Sequence, residues 1–209
     1  MRFGILLYDG VEPIDLATYG VLSMARRIAP QIEICSIARS AGPVALSNGL
    51  TVLADHGHAD APPLDALIVT GGPGWMAERE HPGTRSFLAS LPARTLVASV
   101  CTGAMLLASA GLLDGRAATT KQQVTGGEVP PIDILAREHP STQVSAATWI
   151  DAGGVVTGGG VSLCIDTTLH LLDRLLGPTV AAETARIIEY GAALEANARR
   201  LPPVTNPPR

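Results

Sequence analysis

Short hydrophobic runs alternate with amphipathic stretches along most of this 209-residue chain. Residues 3–8, 32–38, 64–70 and 94–100 are apolar runs of strand length, the pattern of strands covered on both faces of a sheet. Between them the period becomes helical: residues 13–27, a stretch ending near residue 91, and the segment that begins at residue 102. Pro13 suits a first helical turn, where its missing N–H would be unpaired anyway. Residues 42–54 alternate around Ser47-Asn48-Gly49 and read as a hairpin. Further on, residues 143–149 and 155–157 read as strands and 162–176 and 179–200 as helices. Residues 124–139 have helical character, interrupted by Gly126-Gly127 and Pro130-Pro131.

Strands separated by helices of this length need crossover connections, which predicts parallel pairing in a layered α/β sheet. Ligands of such sheets gather outside the carboxyl ends of the strands. Residues 9–15, 71–75, 101–102 and 158–160 are expected to converge on that edge. Residues 1–200 are read as one domain without internal repeats, and the Pro-rich tail at 201–209 is expected to be disordered.

Composition narrows the function classes. The hydrophobic fraction of 46% and charged fraction of 16% describe a folded protein rather than a disordered one. A net charge of −4, with Lys and Arg scattered, gives no footprint for nucleic acid. Three cysteines without a Cys-x-x-Cys pair make no disulfide framework, and a reducing, cytoplasmic setting is expected. The opening apolar run is too short for a signal peptide and lacks a cleavage site. Residues 96–113 carry no charge, but glycines and hydroxyl residues break the run. A buried strand followed by a buried helix accounts for it better than a membrane span.

The most informative segment is Ser99-Val100-Cys101-Thr102-Gly103, where a strand-type run stops at a cysteine and a helical pattern starts at once. A strand feeding directly into a helix forces a sharp turn that holds its central residue above the sheet, the arrangement of a nucleophile elbow. A thiol there faces a helix N-terminus and is expected to be displayed and biased towards thiolate. Gly71-Gly72, at another strand end, is free of the side chain that would keep a backbone N–H from a developing charge. The amides of Gly72 and Thr102 are the candidate oxyanion donors. Asp15 lies in an otherwise apolar helix start; beside Cys101, the two groups would not both ionise, and a protonated Asp15 would serve as proton donor. Cys35 and Cys164 read as core, His56 and His58 as solvated, and His170 as packed. No histidine is placed to serve Cys101, and neither metal nor cofactor site is evident.

Taken together, Tyr8-Asp9-Gly10-Val11-Glu12-Pro13-Ile14-Asp15-Leu16, Thr70-Gly71-Gly72, Ser99-Val100-Cys101-Thr102-Gly103, the segment 111–120 and Thr157-Gly158-Gly159-Gly160 resemble the ThiJ/PfpI superfamily, over about residues 1–195. That resemblance implies the class I glutamine amidotransferase-like fold: a three-layer sandwich with a mostly parallel, flavodoxin-like sheet and a nucleophile elbow. It also implies a homodimer acting on a small-molecule substrate. Asp15 with Cys101-Thr102 is most similar to the isocyanide hydratases, which implies Cys101, Asp15 and Thr102 as catalytic residues. The reaction would turn isocyanides into N-substituted formamides through a covalent thioimidate, with no cofactor. Two alternatives stand beside it. One is another enzyme of the superfamily, a glyoxal hydratase or small-amide hydrolase. The other is a ligand- or redox-sensing module like the N-terminal domain of AraC-type regulators, although no DNA-binding region is expected here. Lys121 stands where relatives often carry histidine.

Overall fold

A computed structural model describes residues 1–205. The chain runs β1 (Arg2–Leu6), a 3₁₀ turn (Pro13–Leu16), α1 (Ala17–Ala25), β2 (Glu33–Ala38), the hairpin β3 (Gly42–Ala45) and β4 (Thr51–Ala54), then β5 (His56–Gly57). It continues through β6 (Ala66–Val69), α2 (Trp75–Glu78), α3 (Pro82–Ala89), β7 (Leu96–Ser99), α4 (Gly103–Ser109), β8 (Ala117–Ala118) and α5 (Pro131–Glu138). The last elements are β9 (Gln143–Val144), β10 (Trp149–Asp151), β11 (Val155–Gly158), α6 (Cys164–Leu176), α7 (Pro178–Ile187), α8 (Gly191–Arg200) and β12 (Val204–Thr205).

Eight strands form the central sheet in the order β12-β10-β11-β7-β6-β1-β2-β5. Pairings from β5 through β11 are parallel, and β10 runs antiparallel to β11. From β1 the chain steps outward to β2 by way of α1. From β6 it steps the other way to β7, through α2 and α3. Crossovers of one hand in opposite directions put α1 on one face and α2 and α3 on the other. The order of connection therefore reverses between β1 and β6, and it is outside the carboxyl ends of strands at such a point that open α/β sheets place their ligands. That edge carries the site described below.

The core follows from the apolar runs. Phe3, Ile5 and Leu6 of β1, Leu67 and Ile68 of β6, and Met105 and Leu106 of α4 are all fully buried. Helix α4 is enclosed from Gly103 through Ala108, which is why the uncharged run at 96–113 needs no membrane. Among the described residues no helix is long and apolar enough to cross one.

Several elements differ from the sequence reading. The segment 13–27 is a 3₁₀ turn followed by a shorter α-helix, and the segment 124–139 is helical only from Pro131. The stretch 179–200 is two helices, broken where Glu189 takes a left-handed φ of 57°. The tail expected to be disordered is ordered where it is described. Leu201 carbonyl accepts the Thr148 N–H at 3.2 Å, and Val204–Thr205 pairs with β10 as a parallel edge strand. Residues 206–209 lie outside the described residues.

Candidate active site

Cys101 sits where β7 turns into α4, with a φ of 50° that a side chain rarely adopts. Such a left-handed residue costs about 1–2 kcal/mol and persists only where its surroundings hold it. Here the Cys101 N–H donates to the Gly159 carbonyl at 3.1 Å, and the Thr120 hydroxyl donates to the Cys101 carbonyl at 2.6 Å. The elbow is thus clamped from the end of β11 and from the irregular stretch after β8. Gly103 lets α4 start hard against β6, since a Cβ there would run into the Val69 carbonyl.

Asp15 reaches this point from the segment after β1. The 3₁₀ turn that carries it follows β1, and its carboxyl is wholly buried. One oxygen, Oδ2, accepts the Gly71 N–H at 2.6 Å, while Oδ1 has no partner. Gly71 is the link: a Cβ there would lie 2.6 Å from Thr102 Oγ1 and 2.9 Å from Cys101 Cβ. Only glycine lets the acid and the elbow close on the same backbone. The next residue, Gly72, donates its N–H to Thr102 Oγ1 at 2.9 Å and has a φ of 147°. The predicted convergence of residues 9–15, 71–75, 101–102 and 158–160 is therefore met by hydrogen bonds between the segments. The Glu12 N–H donates to the Gly71 carbonyl at 2.9 Å, and the Gly74 N–H to the Gly10 carbonyl at 3.1 Å.

Burial governs the protonation of these groups. It pushes the Asp15 carboxyl up to about 8, against the Gly71 hydrogen bond and with help from the Glu12 charge. At neutral pH Asp15 therefore keeps its proton. The Cys101 thiol is also driven far above its ordinary value, first by burial and then by the Asp15 charge. The Thr102 amide, Lys121 and the Thr102 hydroxyl pull the other way.

Two expectations are corrected here. Cys101 is not displayed: it is 2% exposed. Nor is its resting form a thiolate, because loss of solvent outweighs the field of a seven-residue helix. A third correction concerns the oxyanion donors. The Gly72 amide is already committed to Thr102 Oγ1 and the Gly71 amide to Asp15, which leaves the Thr102 amide facing the sulfur.

Sequence reasoning missed several neighbours. Tyr8 is buried two residues past the end of β1, donates its hydroxyl to the Thr70 carbonyl at 3.1 Å, and is held protonated by burial and by the Asp15 and Cys101 charges. Its place at a strand's carboxyl end was the available signal. Thr120 and Gly159 act through a hydroxyl and a backbone carbonyl, for which no sequence signal exists. Cys164 is core, as read, yet it also borders the acid. Its thiol donates to the Ile14 carbonyl at 3.6 Å, and burial followed by the Asp15 charge pushes it up to about 12.

Among the histidines, His58 is not solvated. It stacks on Phe87 with ring centroids 4.5 Å apart, and burial pulls it down to about 4. His56 is part-exposed and pairs with Asp60 at 3.6 Å. His170 is packed, stacked on Trp149 and bonded to Asp151 at 2.9 Å. Among the described residues no group of three or more His, Cys, Asp or Glu side chains is placed to hold a metal ion.

The sequence profile of the DJ-1/PfpI family matches residues 1–174. The chain belongs to this family. It is 32% identical over 200 residues to an isonitrile hydratase of Pseudomonas putida, covering 92% of this chain and 80% of that protein. It is 28% identical over 193 residues to the HTH-type transcriptional regulator GbdR of Pseudomonas aeruginosa, of which it spans 50%. Among solved structures, a ThiJ/PfpI family protein from Pseudomonas syringae superposes with a TM-score of 0.78 at 26% identity. That match covers 91% of this chain and 75% of the other. Family and fold together account for the mostly parallel sheet and the elbow.

Proposed function

We propose that this member of the family hydrates isocyanides to N-substituted formamides, with Cys101 as nucleophile, Asp15 as proton carrier and Thr102 as the group that orients them. The observation that carries the reading is the Asp15 carboxyl: buried, protonated at neutral pH, bonded to the Gly71 amide beside the Gly72 amide that binds Thr102, and with one oxygen unbonded. The relationship to an isonitrile hydratase supports it.

In the first step the Cys101 sulfur bonds to the terminal carbon of R–N≡C. The thiol proton, relayed through Asp15, ends on that same carbon and gives the thioimidate Cys–S–CH=N–R. Water then adds to this carbon, with one proton going to nitrogen. The C–S bond breaks, the hydroxyl proton returns to sulfur, and R–NH–CHO leaves. A neutral Asp15 removes the charge that most opposes a thiolate after burial itself. The Thr102 amide stabilises the negative charge that passes through sulfur. An isocyanide is uncharged and presents a bare carbon at the end of a linear group, which suits a sulfur with little exposed surface.

Formation of the formamide from an aryl isocyanide, followed by liquid chromatography, tests the reading. Turnover by the wild type and its loss in Cys101→Ala are expected. No turnover in the wild type, or full turnover in Cys101→Ala, overturns it. A sensing role is the second reading, favoured by the sealed thiol and by the similarity to a transcriptional regulator. Absence of turnover together with saturable ligand binding selects it.

A further inference from the structure

Lys121 is the only lysine in the chain; every other permanently cationic side chain is an arginine. Its surroundings are the surroundings of the nucleophile. The preceding residue, Thr120, donates its hydroxyl to the Cys101 carbonyl. The Lys121 Cβ and Cγ press on Gly160, where an added Cβ would lie 2.8 and 2.9 Å from them, and the neighbouring Gly159 accepts the Cys101 N–H. Both backbone partners of Cys101 are thus next in sequence to Lys121 or to the glycine it covers.

The ammonium itself is poorly compensated. Arg2, Arg39, Arg79, Arg174 and Arg186 each pair with a carboxylate. Among the described residues no carboxylate lies within ion-pairing distance of Lys121. The side chain is half-buried, and its acceptor is the Gln123 carbonyl. The Lys121 carbonyl accepts the Ile132 N–H at 3.1 Å, which fixes the residue at the root of the loop 122–131. The titratable groups grouped around Cys101 are Tyr8 from just past the end of β1, Asp15 from the 3₁₀ turn, Cys164 from α6 beyond Asp15, and Lys121. Glu12 acts on Asp15, Glu78 on Tyr8 and Asp166 on Cys164, whereas the charged groups that act on the Cys101 thiol itself are Asp15 and Lys121; with Asp15 protonated at neutral pH, the ammonium is the charge left acting on the sulfur.

We propose that Lys121 is a positioning residue that acts through Cys101: its charge stabilises the anion on sulfur when the thiol releases its proton, and so sets the pH at which the nucleophile becomes reactive. A compact ammonium suits one sulfur atom, whereas a guanidinium would spread its charge over a planar fork. The proposal rests on Cys101 being the nucleophile of the reading above, but not on the identity of the substrate.

The test reads the thiol directly. The far-ultraviolet absorbance of the thiolate is followed against pH for the wild type, Lys121→Met and Lys121→Arg. Each is taken as a difference from its Cys101→Ser counterpart. The rate of iodoacetamide labelling, mapped to Cys101 by mass spectrometry, is measured alongside. An opposite charge close to an ionising group shifts it by about one unit or more, so Lys121→Met is expected to label about tenfold more slowly at a given pH. Lys121→Arg is expected to stay within about threefold of wild type, since it keeps the charge.

Should Lys121→Met fail to fold, acetylation of the lone lysine removes its charge and reductive methylation keeps it, so only the former is expected to slow labelling. Equal rates in wild type and Lys121→Met overturn the proposal, as does a wild-type Cys101 that resists labelling at every pH where the protein is folded. If the wild type turns over no isocyanide but the labelling profile still shifts, the substrate reading falls and this one stands.

Discussion

Replacing Asp15 by Asn probes the site through its energetics as well as its chemistry. In the folded protein the Asp15 carboxyl is pushed from an ordinary 3.8 to about 8, with burial the largest cause. Between those two values the folded state holds a proton that the unfolded state has released. Stability must then fall as pH rises, and it must do so up to the folded value. The slope for one proton is about 1.4 kcal/mol per pH unit. Asp15 contributes its full stabilisation below about pH 4, and by about pH 7 the protein has lost about 4 kcal/mol of it.

Asn has no proton to lose. Its side-chain oxygen still accepts from Gly71, but its NH₂ replaces the unpartnered Oδ1 and adds a pH-independent penalty of about 1–3 kcal/mol. The offset at low pH therefore favours the wild type, and the slope favours Asp15→Asn. Urea unfolding followed by circular dichroism, at one protein concentration, measures both. From about pH 5 to about pH 7 the difference in unfolding free energy is expected to move by about 3 kcal/mol towards Asp15→Asn. Isocyanide turnover is expected to be lost in the same variant. Parallel pH dependences, agreeing within about 0.5 kcal/mol, would refute the claim that this carboxyl is buried and protonated.

Three further outcomes follow from the same contacts. Gly71→Ala forces a Cβ against Thr102 and Cys101, so a loss of about 1–3 kcal/mol and of most turnover is expected, by urea unfolding and the formamide assay. Thr102→Val leaves the Gly72 N–H without its acceptor and is expected to cost about 1–3 kcal/mol, whereas Thr102→Ser costs less than half of that in the same unfolding measurement. Ending the chain after Arg200 removes the Leu201 carbonyl that accepts both the Thr148 N–H and its hydroxyl, along with β12. At about 1 kcal/mol per hydrogen bond the melting temperature is expected to fall by about 4–8 °C in calorimetry.

How much of this was legible in the sequence depends on whether an element is encoded locally. The strand-to-helix turn at Cys101 is contiguous, so its apolar run and small residues announce it. The same holds for the hairpin around Ser47–Gly49 and for the parallel strands. Strands β5 and β12 have two residues each, too few for any periodicity, and they exist because the sheet offers an edge. The state of the sulfur was the larger miss. A helix N-terminus is visible in sequence, whereas the groups packed on or bonded to Cys101 come from Thr120, Gly159 and Gly71, which sit on three other segments. Burial is a sum over the fold, and here it reverses the sign of the local argument.

That reversal bears on how the site can work. For a thiolate at rest the Lys121 charge would have to outweigh burial, and an ionised carboxyl beside the sulfur would raise its energy further. Keeping both protons avoids two buried anions, each of which would cost several kcal/mol. It also keeps a proton on a carboxyl whose partner, the Gly71 amide, adjoins the Gly72 amide that binds Thr102. The reversal of strand order between β1 and β6 makes this geometry available, because Asp15 leaves one strand and Gly71 leaves the other at the same edge. A substrate that required a preformed anion would be poorly served by such a site. One that takes up a sulfur and a proton at the same carbon matches it, and the pH slope of Asp15 and the labelling profile of Cys101 test the two halves of that match separately.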